Sequence, residues 1–133
     1  QWSLPDNEDL KYHYLNDFDQ AMVELLKEND ILNHFGNTQE RWKHQEDMVL
    51  AFSRGDLTFI FNFHPTQSLT EYEIPVAEPG DYEILLESDG EQFGGYNRVN
   101  SEVKLQTKPW KVSEGHVVQC YLPTRTALVL KKI

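Results

Sequence analysis

Phe59–Arg98, FIFNFHPTQSLTEYEIPVAEPGDYEILLESDGEQFGGYNR, decides the fold class of this 133-residue chain. With Leu57 and Thr58 just before it, the stretch opens on an alternation of period two. Leu57, Phe59, Phe61 and Phe63 share one face, and Thr58, Ile60 and Asn62 share the other. His64-Pro65 ends that strand, because proline has no N–H to give a ladder. Tyr72, Ile74 and Val76 then alternate with Glu71, Glu73 and Pro75, a half-exposed strand that the proline places near a sheet edge. Glu78-Pro79-Gly80-Asp81 fits a type II turn, with proline second and glycine third. Tyr82, Ile84 and Leu86 form the strand that follows.

The same period extends in both directions. Upstream, Met48, Leu50 and Phe52 alternate with Val49 and Ala51, so both faces of that strand are apolar. Arg54-Gly55-Asp56 joins it to the Phe59 strand as a hairpin, and the pair is predicted to lie at the centre of a sheet. Downstream, Val103 and Leu105 mark a short strand, and Val117–Leu122 with Thr126–Leu130 read as a closing hairpin across Pro123-Thr124. Short strands at this spacing predict an antiparallel β-sandwich over residues 47–133. The first third has helical grammar instead. Asp6 or Asn7 reads as the cap of a short helix through about Leu15, and Asn16 as the cap of a second. In that second helix Phe18, Ala21, Met22, Leu25 and Leu26 form an apolar stripe that fades near Asn29–Asn33. Residues 36–46 are polar and read as a linker with Trp42 inside it. The expected fold is therefore mainly β: two helices in 1–35, a linker over 36–46, and a sandwich over 47–133.

Composition narrows the function. Twenty-two acidic against 12 basic residues give a formal charge of −10. That balance disfavours nucleic acid, whose phosphates need clustered Lys and Arg; Lys131-Lys132 is the only adjacent basic pair. No apolar run approaches the ~20 residues that span a bilayer, and no charged-then-apolar stretch resembling a signal peptide is read in the sequence. Cys120 is the single cysteine, which excludes an internal disulfide, and its apolar strand setting predicts a buried, inert thiol. His13, His34, His44, His64, His116 and Cys120 show no paired ligand spacing, so neither a metal nor another cofactor is expected. His64 reads as a turn residue.

The loop Asp89–Arg98 is the leading candidate site. Gly94 and Gly95 permit positive φ and close backbone approach. Phe93 and Tyr96 offer flat apolar faces, and Asn97 and Arg98 offer hydrogen-bond donors. Trp42, Trp110 and Trp2 complete the set of aromatic candidates. Each tryptophan has two readings, a sugar platform or a cover for a sheet edge. Trp2 is further expected to be left partly uncovered at the chain start.

Three pieces of this sequence carry a family resemblance: FIFNFHP, Tyr72 with Gly80-Asp81-Tyr82, and the loop Ser88-Asp89-x-x-x-Phe93-Gly94-Gly95-x-x-Arg98. Together they resemble the C-terminal β-domain of the glycogen and starch branching enzymes, in the α-amylase superfamily. QWSLPDNEDLKYHYLNDFDQAM, Gln1–Met22, resembles the end of the catalytic barrel in the same enzymes. The family cleaves an α-1,4 linkage of a glucan, holds the chain as a covalent enzyme intermediate, and re-attaches it through an α-1,6 bond. Retaining glycoside chemistry needs two carboxyl groups about 5–5.5 Å apart. Glu46-Asp47 and Asp89 with Glu91 are the only candidate pairs read near strand ends or glycines, and neither matches the family's catalytic motifs, which lie upstream. The resemblance thus implies a chain that is inactive alone. It implies the barrel as partner, α-glucan as a further one, and a cytoplasmic setting, or a plastid for a plant parent. The loop is implied to be architectural at least, docking on sheet or barrel, with direct glucan contact as the alternative. The Phe18–Leu26 stripe is expected either to pack on the chain's own sheet or to drive self-association. A free-standing carbohydrate-binding module and a protein-interaction domain are the competing classes.

Overall fold

The computed structural model describes residues 4–31 and 38–133, with side chains described from residue 11 onward in the first segment. The expectation for Trp2 and the metal-ligand reading of His34 fall outside the described residues. Among the described residues a single α-helix, α1 (Leu4–Glu28), replaces the two helices expected. Asp6, Asn7 and Asn16 all lie inside it, so none of them is a cap. Nothing between Leu10 and Glu28 is a proline or glycine, and an interior asparagine costs well under about 1 kcal/mol against alanine. That is too little to break a helix whose apolar stripe is packed. His13 Nε2 faces the Asp17 carboxylate at 3.3 Å across the supposed junction. The helix ends where the side chain and backbone N–H of Asn29 both donate to Leu25 O, and Asp30 turns into the left-handed region at φ 55°.

Among the described residues nine strands follow: β1 (Gln39–His44), β2 (Val49–Arg54), β3 (Leu57–Asn62), β4 (Leu69–Val76), β5 (Asp81–Glu87), β6 (Leu105–Gln106), β7 (Lys108–Pro109), β8 (His116–Leu122) and β9 (Thr126–Lys132). They build two antiparallel sheets, in the orders β1-β2-β3-β9-β5-β6 and β4-β8-β7. Val49, Ala51, Ile60, Leu128 and Leu130 of the first sheet meet Ile74, Val118, Cys120 and Leu122 of the second in a closed core. On the outer face of the larger sheet, Leu57, Phe59 and Val129 pack with Leu25 and Ile31, flanked by Met22 and Leu26. The molecule is thus three layers, helix on sheet on sheet. This is why β2 and β3 carry apolar residues on both faces. Each fully buried Leu or Ile here is worth about 1.5–3 kcal/mol.

Two further expectations are corrected. The polar stretch read as a linker contributes β1, which pairs with β2 through a register shift at Glu40/Trp42. It reads as polar because it is an edge strand with an exposed outer side, on which only Arg41, Trp42 and His44 are half-buried. The last two strands do not form a hairpin. β8 pairs with β4 and β7, whereas β9 inserts between β3 and β5, so the Pro123–Arg125 turn crosses from one sheet to the other. Both strands present core residues inward, and pairing them would leave one sheet without its centre. Asn62 anchors the crossing. Its Nδ2 lies 3.0–3.1 Å from the carbonyls of Gln67, Leu122 and Pro123, and its Oδ1 accepts from His64 N at 2.9 Å.

Candidate functional site

The glycine loop is built from its own backbone outward. After β5, Asp89 starts a tight turn whose 3-10 segment covers Glu91–Phe93. Phe93 N and Gly95 N donate to Gly90 O, Gly94 N donates to Glu91 O, and Asn97 N donates to Asp89 O at 2.7 Å. The Asp89 side chain, only 3% exposed, then gathers the far limb. It accepts from Tyr96 N at 3.2 Å and Arg98 N at 2.7 Å, and takes a two-pronged contact from the Arg98 guanidinium at 2.9 and 3.0 Å. Burial by itself would raise the Asp89 carboxyl. The hydrogen bonds and charge of Arg98, with those backbone N–H groups, outweigh it and hold the carboxyl below its ordinary range. Arg98 extends to Thr124 Oγ1 at 3.3 Å, tying the loop to the β8–β9 crossing, and its guanidinium lies 5.1 Å from the Tyr96 ring centre.

The loop grips α1. Phe93 meets Phe18 edge-to-face, with ring centres 5.1 Å apart at 89°. Gly94 takes φ +78° and touches the Tyr14 ring, where no side chain fits. Gly95 backs directly onto the Asp89 carbonyl. Three depressions meet at Ser88. One of about 310 Å³ lies between α1 and the loop, lined by Tyr14, Leu15, Phe18, Phe93 and Gly94. One of about 340 Å³ lies over Phe61, Phe63, Thr126 and Ala127. The third, of about 360 Å³, separates the loop from the β8–β9 crossing and is bordered by Tyr96, Arg98, Thr124 and Arg125.

Residues 40–133 match the family described as alpha amylase, C-terminal all-beta domain. The chain belongs to that family. Relatives named 1,4-alpha-glucan-branching enzyme match nearly its whole length. That of Eremothecium gossypii is 44% identical over 99% of this chain and 19% of its own length, and that of Aspergillus oryzae is 42% identical over 98% and 19%. A rice relative, named as chloroplastic/amyloplastic, is 41% identical over 82% of this chain and 13% of its own. The chain therefore spans less than a fifth of the length of these relatives.

Within this all-β domain, the expected site residues fall into two groups. Asp89, Phe93, Gly94, Gly95, Tyr96, Asn97 and Arg98 converge in the loop. Trp42 of β1 and Trp110, which follows β7, are brought together away from the loop, edge-to-face at 5.9 Å, with His44 stacked on Trp42. Trp42 Nε1 donates to Tyr72 Oη at 2.9 Å, and that hydroxyl donates to Asp47 Oδ2 at 2.7 Å. Burial, together with the Asp47 carboxylate, pushes Tyr72 up to about 12. Both indoles are half-buried and Trp42 packs on the inter-sheet core, so the pair covers the sandwich edge. Asp47 is held by Tyr72 and His44, and Asp89 by Arg98, so each serves as a structural anchor. Sequence reasoning passed over Thr124 and Arg125. The signal for Arg125 is conformational, an arginine in the left-handed region at φ 53°. Cys120 is buried, and desolvation pushes its thiol up to about 12. His64 is a turn residue, its Nδ1 accepting from Thr66 N and Gln67 N. Among the described residues, no three His, Cys, Asp or Glu side chains converge to hold a metal ion, and no helix is long and apolar enough to cross a membrane.

Proposed function

We propose that this domain is the C-terminal part of a 1,4-α-glucan branching enzyme and that its own work is architectural. It holds α1, the last helix of the catalytic barrel, and docks the rest of the barrel across the face around Ser88. The observation that carries this reading is the grip of the loop on α1 through Phe93 on Phe18 and Gly94 on Tyr14. Exposed Leu15 and Phe63, the latter 55% exposed, border the same face and supply an apolar patch for a protein surface to cover. The α1 stripe is already committed, since Leu25 is buried against the chain's own sheet with Met22 and Leu26 beside it. Association between copies through that stripe would require undocking it.

On this reading the parent cleaves α-1,4 linkages and forms α-1,6 branches with carboxylates that lie outside this chain. The partners are the barrel and the α-glucan it works on, and the setting is the cytoplasm, or a plastid for a plant parent. The test is reconstitution. A fungal branching enzyme lacking its C-terminal 19% is mixed with this chain, and complex formation and the iodine-stain shift of amylose are followed. A stable complex with restored branching is expected, lost with Phe63→Asp combined with Leu15→Asp. Branching by this chain alone, or no complex with the unaltered chain, would overturn the reading.

A further inference from the structure

We infer that Arg125 is a charged docking anchor, and that the surface closing over the face around Ser88 meets it with an aspartate or a glutamate. The inference rests on the architectural reading above, in which the occupant of that face is the rest of the same polypeptide. It adds the chemistry of that occupant at one point, and three observations carry it.

First, Arg125 is held in place and grips nothing. It sits in the Pro123–Arg125 turn at φ 53°, a conformation that a glycine adopts more cheaply. Strained positions of this kind cluster where a side chain has a task. Among the described residues the other three arginines are engaged. Arg41 donates to Ser53 Oγ at 2.8 Å, Arg98 is clasped by Asp89 at 2.9 Å, and Arg54 has its own partner. Arg125 alone is exposed and makes neither hydrogen bond nor ion pair.

Second, its neighbours suit a protein surface. Arg125 borders both the cleft beside the glycine loop and the depression over Phe61 and Phe63. Phe63 is 55% exposed and stacks on Phe61, with ring centres 5.6 Å apart at 7°. A stacked aromatic pair beside an unengaged guanidinium has the composition of an interface core, where aromatic residues and Arg are enriched and Lys is depleted.

Third, covering the face takes water away from a guanidinium that stays charged in any protein setting. A desolvated cation needs a counter-charge in good geometry. This domain does not supply one. The one carboxylate lining the cleft is Asp89, already matched by Arg98 and by the N–H groups of Tyr96 and Arg98. The depression over Phe61 and Phe63 has no acid among its described lining residues. The mate therefore comes from the incoming surface, and the planar fork of arginine is best met by a carboxylate. A free polyanion in that place is opposed by the −10 charge of the chain. The source is within reach. The chain spans 19% of the Eremothecium gossypii relative, and on the reading above the barrel continues from α1, whose Tyr14 and Leu15 flank the same Ser88.

The test uses the complex of this chain with a fungal branching enzyme that lacks its C-terminal 19%. Arg125→Lys keeps the charge and supplies an amine, which a water-soluble carbodiimide joins to a carboxylate in direct contact. Mass spectrometry is expected to find the amine introduced at position 125 linked to an Asp or Glu of the truncated enzyme. Arg125→Gly is expected to weaken the complex about thirtyfold, and Arg125→Glu further, through repulsion. Changing the linked acid to Lys should restore binding of Arg125→Glu. The urea midpoint of the chain alone should be unchanged in Arg125→Glu and unchanged or raised in Arg125→Gly, which separates docking from folding. If the unaltered chain forms no complex, the architectural reading fails and the anchor with it. If the complex forms, but Arg125→Glu binds as tightly as the original or the new amine links to no carboxylate of the enzyme, the anchor alone is wrong. Self-association of the chain alone that Arg125→Glu abolishes would assign the face to a second copy and overturn the anchor as well.

Discussion

The ring of Tyr14 lies so close to Gly94 that a Cβ on the glycine would stand 2.5 Å from Tyr14 Cδ2. The position is doubly restrictive, because φ +78° also disfavours any L side chain. Gly94→Ala is therefore expected to push α1 off the loop and to destabilise the chain by about 2–4 kcal/mol, overpacking and left-handed strain combined. Adding Tyr14→Ala should recover the overpacking part only. Urea unfolding gives the energies, and hydrogen exchange should show protection lost first along α1. An unchanged midpoint would mean that the loop does not seat the helix.

Asp89 and Glu87, two residues apart and both buried, should respond to pH in opposite directions. Asp89 titrates below its ordinary value of 3.8 when folded, so its contribution is present above that value and is lost as pH falls through the folded pKa. Glu87 is raised above 4.5, chiefly by burial, against one backbone hydrogen bond from Asp89 that lowers it, and its Oε2 has no partner. Its ionisation costs stability increasingly as pH rises through its folded pKa. Glu87→Gln should accordingly raise stability near neutral pH by about 1–3 kcal/mol, with the gain vanishing below pH ~4. Asp89→Asn leaves Arg98 without its counter-charge and should cost about 3–5 kcal/mol at neutral pH. Urea midpoints across this pH range test both signs.

Period-two alternation made most strands legible, and the doubly apolar β2–β3 pair, read as the centre of a sheet, lies inside the larger one. The motif Ser88–Arg98 likewise announced one compact loop, because its glycines sit where backbone must approach backbone or an aromatic ring. What stayed hidden depends on pairing. Nothing local in Val117–Leu130 tells a hairpin from a crossing, since the same inward residues serve either sheet. Trp42 looked like a linker residue because an edge strand needs only one buried side. Asn16 looked like a cap because capping chemistry is local, whereas the continuity of α1 is enforced by the sheet beneath its stripe. Arg125 carried no motif, and its relevance arises only where the crossing meets the loop.

Tyr72 links β1 to β4 by accepting from Trp42 and donating to Asp47. Tyr72→Phe leaves the indole N–H and one carboxylate oxygen short of a partner, and should cost about 1–3 kcal/mol. The unmodified tyrosine makes an independent prediction. With a folded pKa of about 12, it favours the native state below its ordinary value of 10.0 and loses that contribution as pH rises toward 12. Absorbance titration should show a late tyrosine that is missing in Tyr72→Phe, beside Tyr82, whose hydroxyl is also pushed up, chiefly by burial. Titration of every tyrosine near 10 would refute the network.

Asn62 offers the most decisive test of the crossing. It is 1% exposed, and its amide meets three carbonyls, from Gln67, Leu122 and Pro123, while its own carbonyl receives His64 N. Thr126 Oγ1 also donates to Pro123 O, so that carbonyl is only partly orphaned when Asn62 is lost. Asn62→Leu keeps the volume but removes every donor, and should cost about 2–4 kcal/mol in spite of its greater hydrophobicity. Asn62→Asp should be worse, because it turns an ionised carboxylate toward carbonyl oxygens. Its folded pKa must then lie above the ordinary value, and its stability deficit must grow as pH rises from 4 to 7. Asn62→Leu should show no such pH dependence. Urea unfolding of both variants at the two pH values tests this, with an unchanged slope confirming that the native state alone is affected. If the leucine variant matched the original chain, the crossing would be held by strand pairing alone, and the amide would be dispensable.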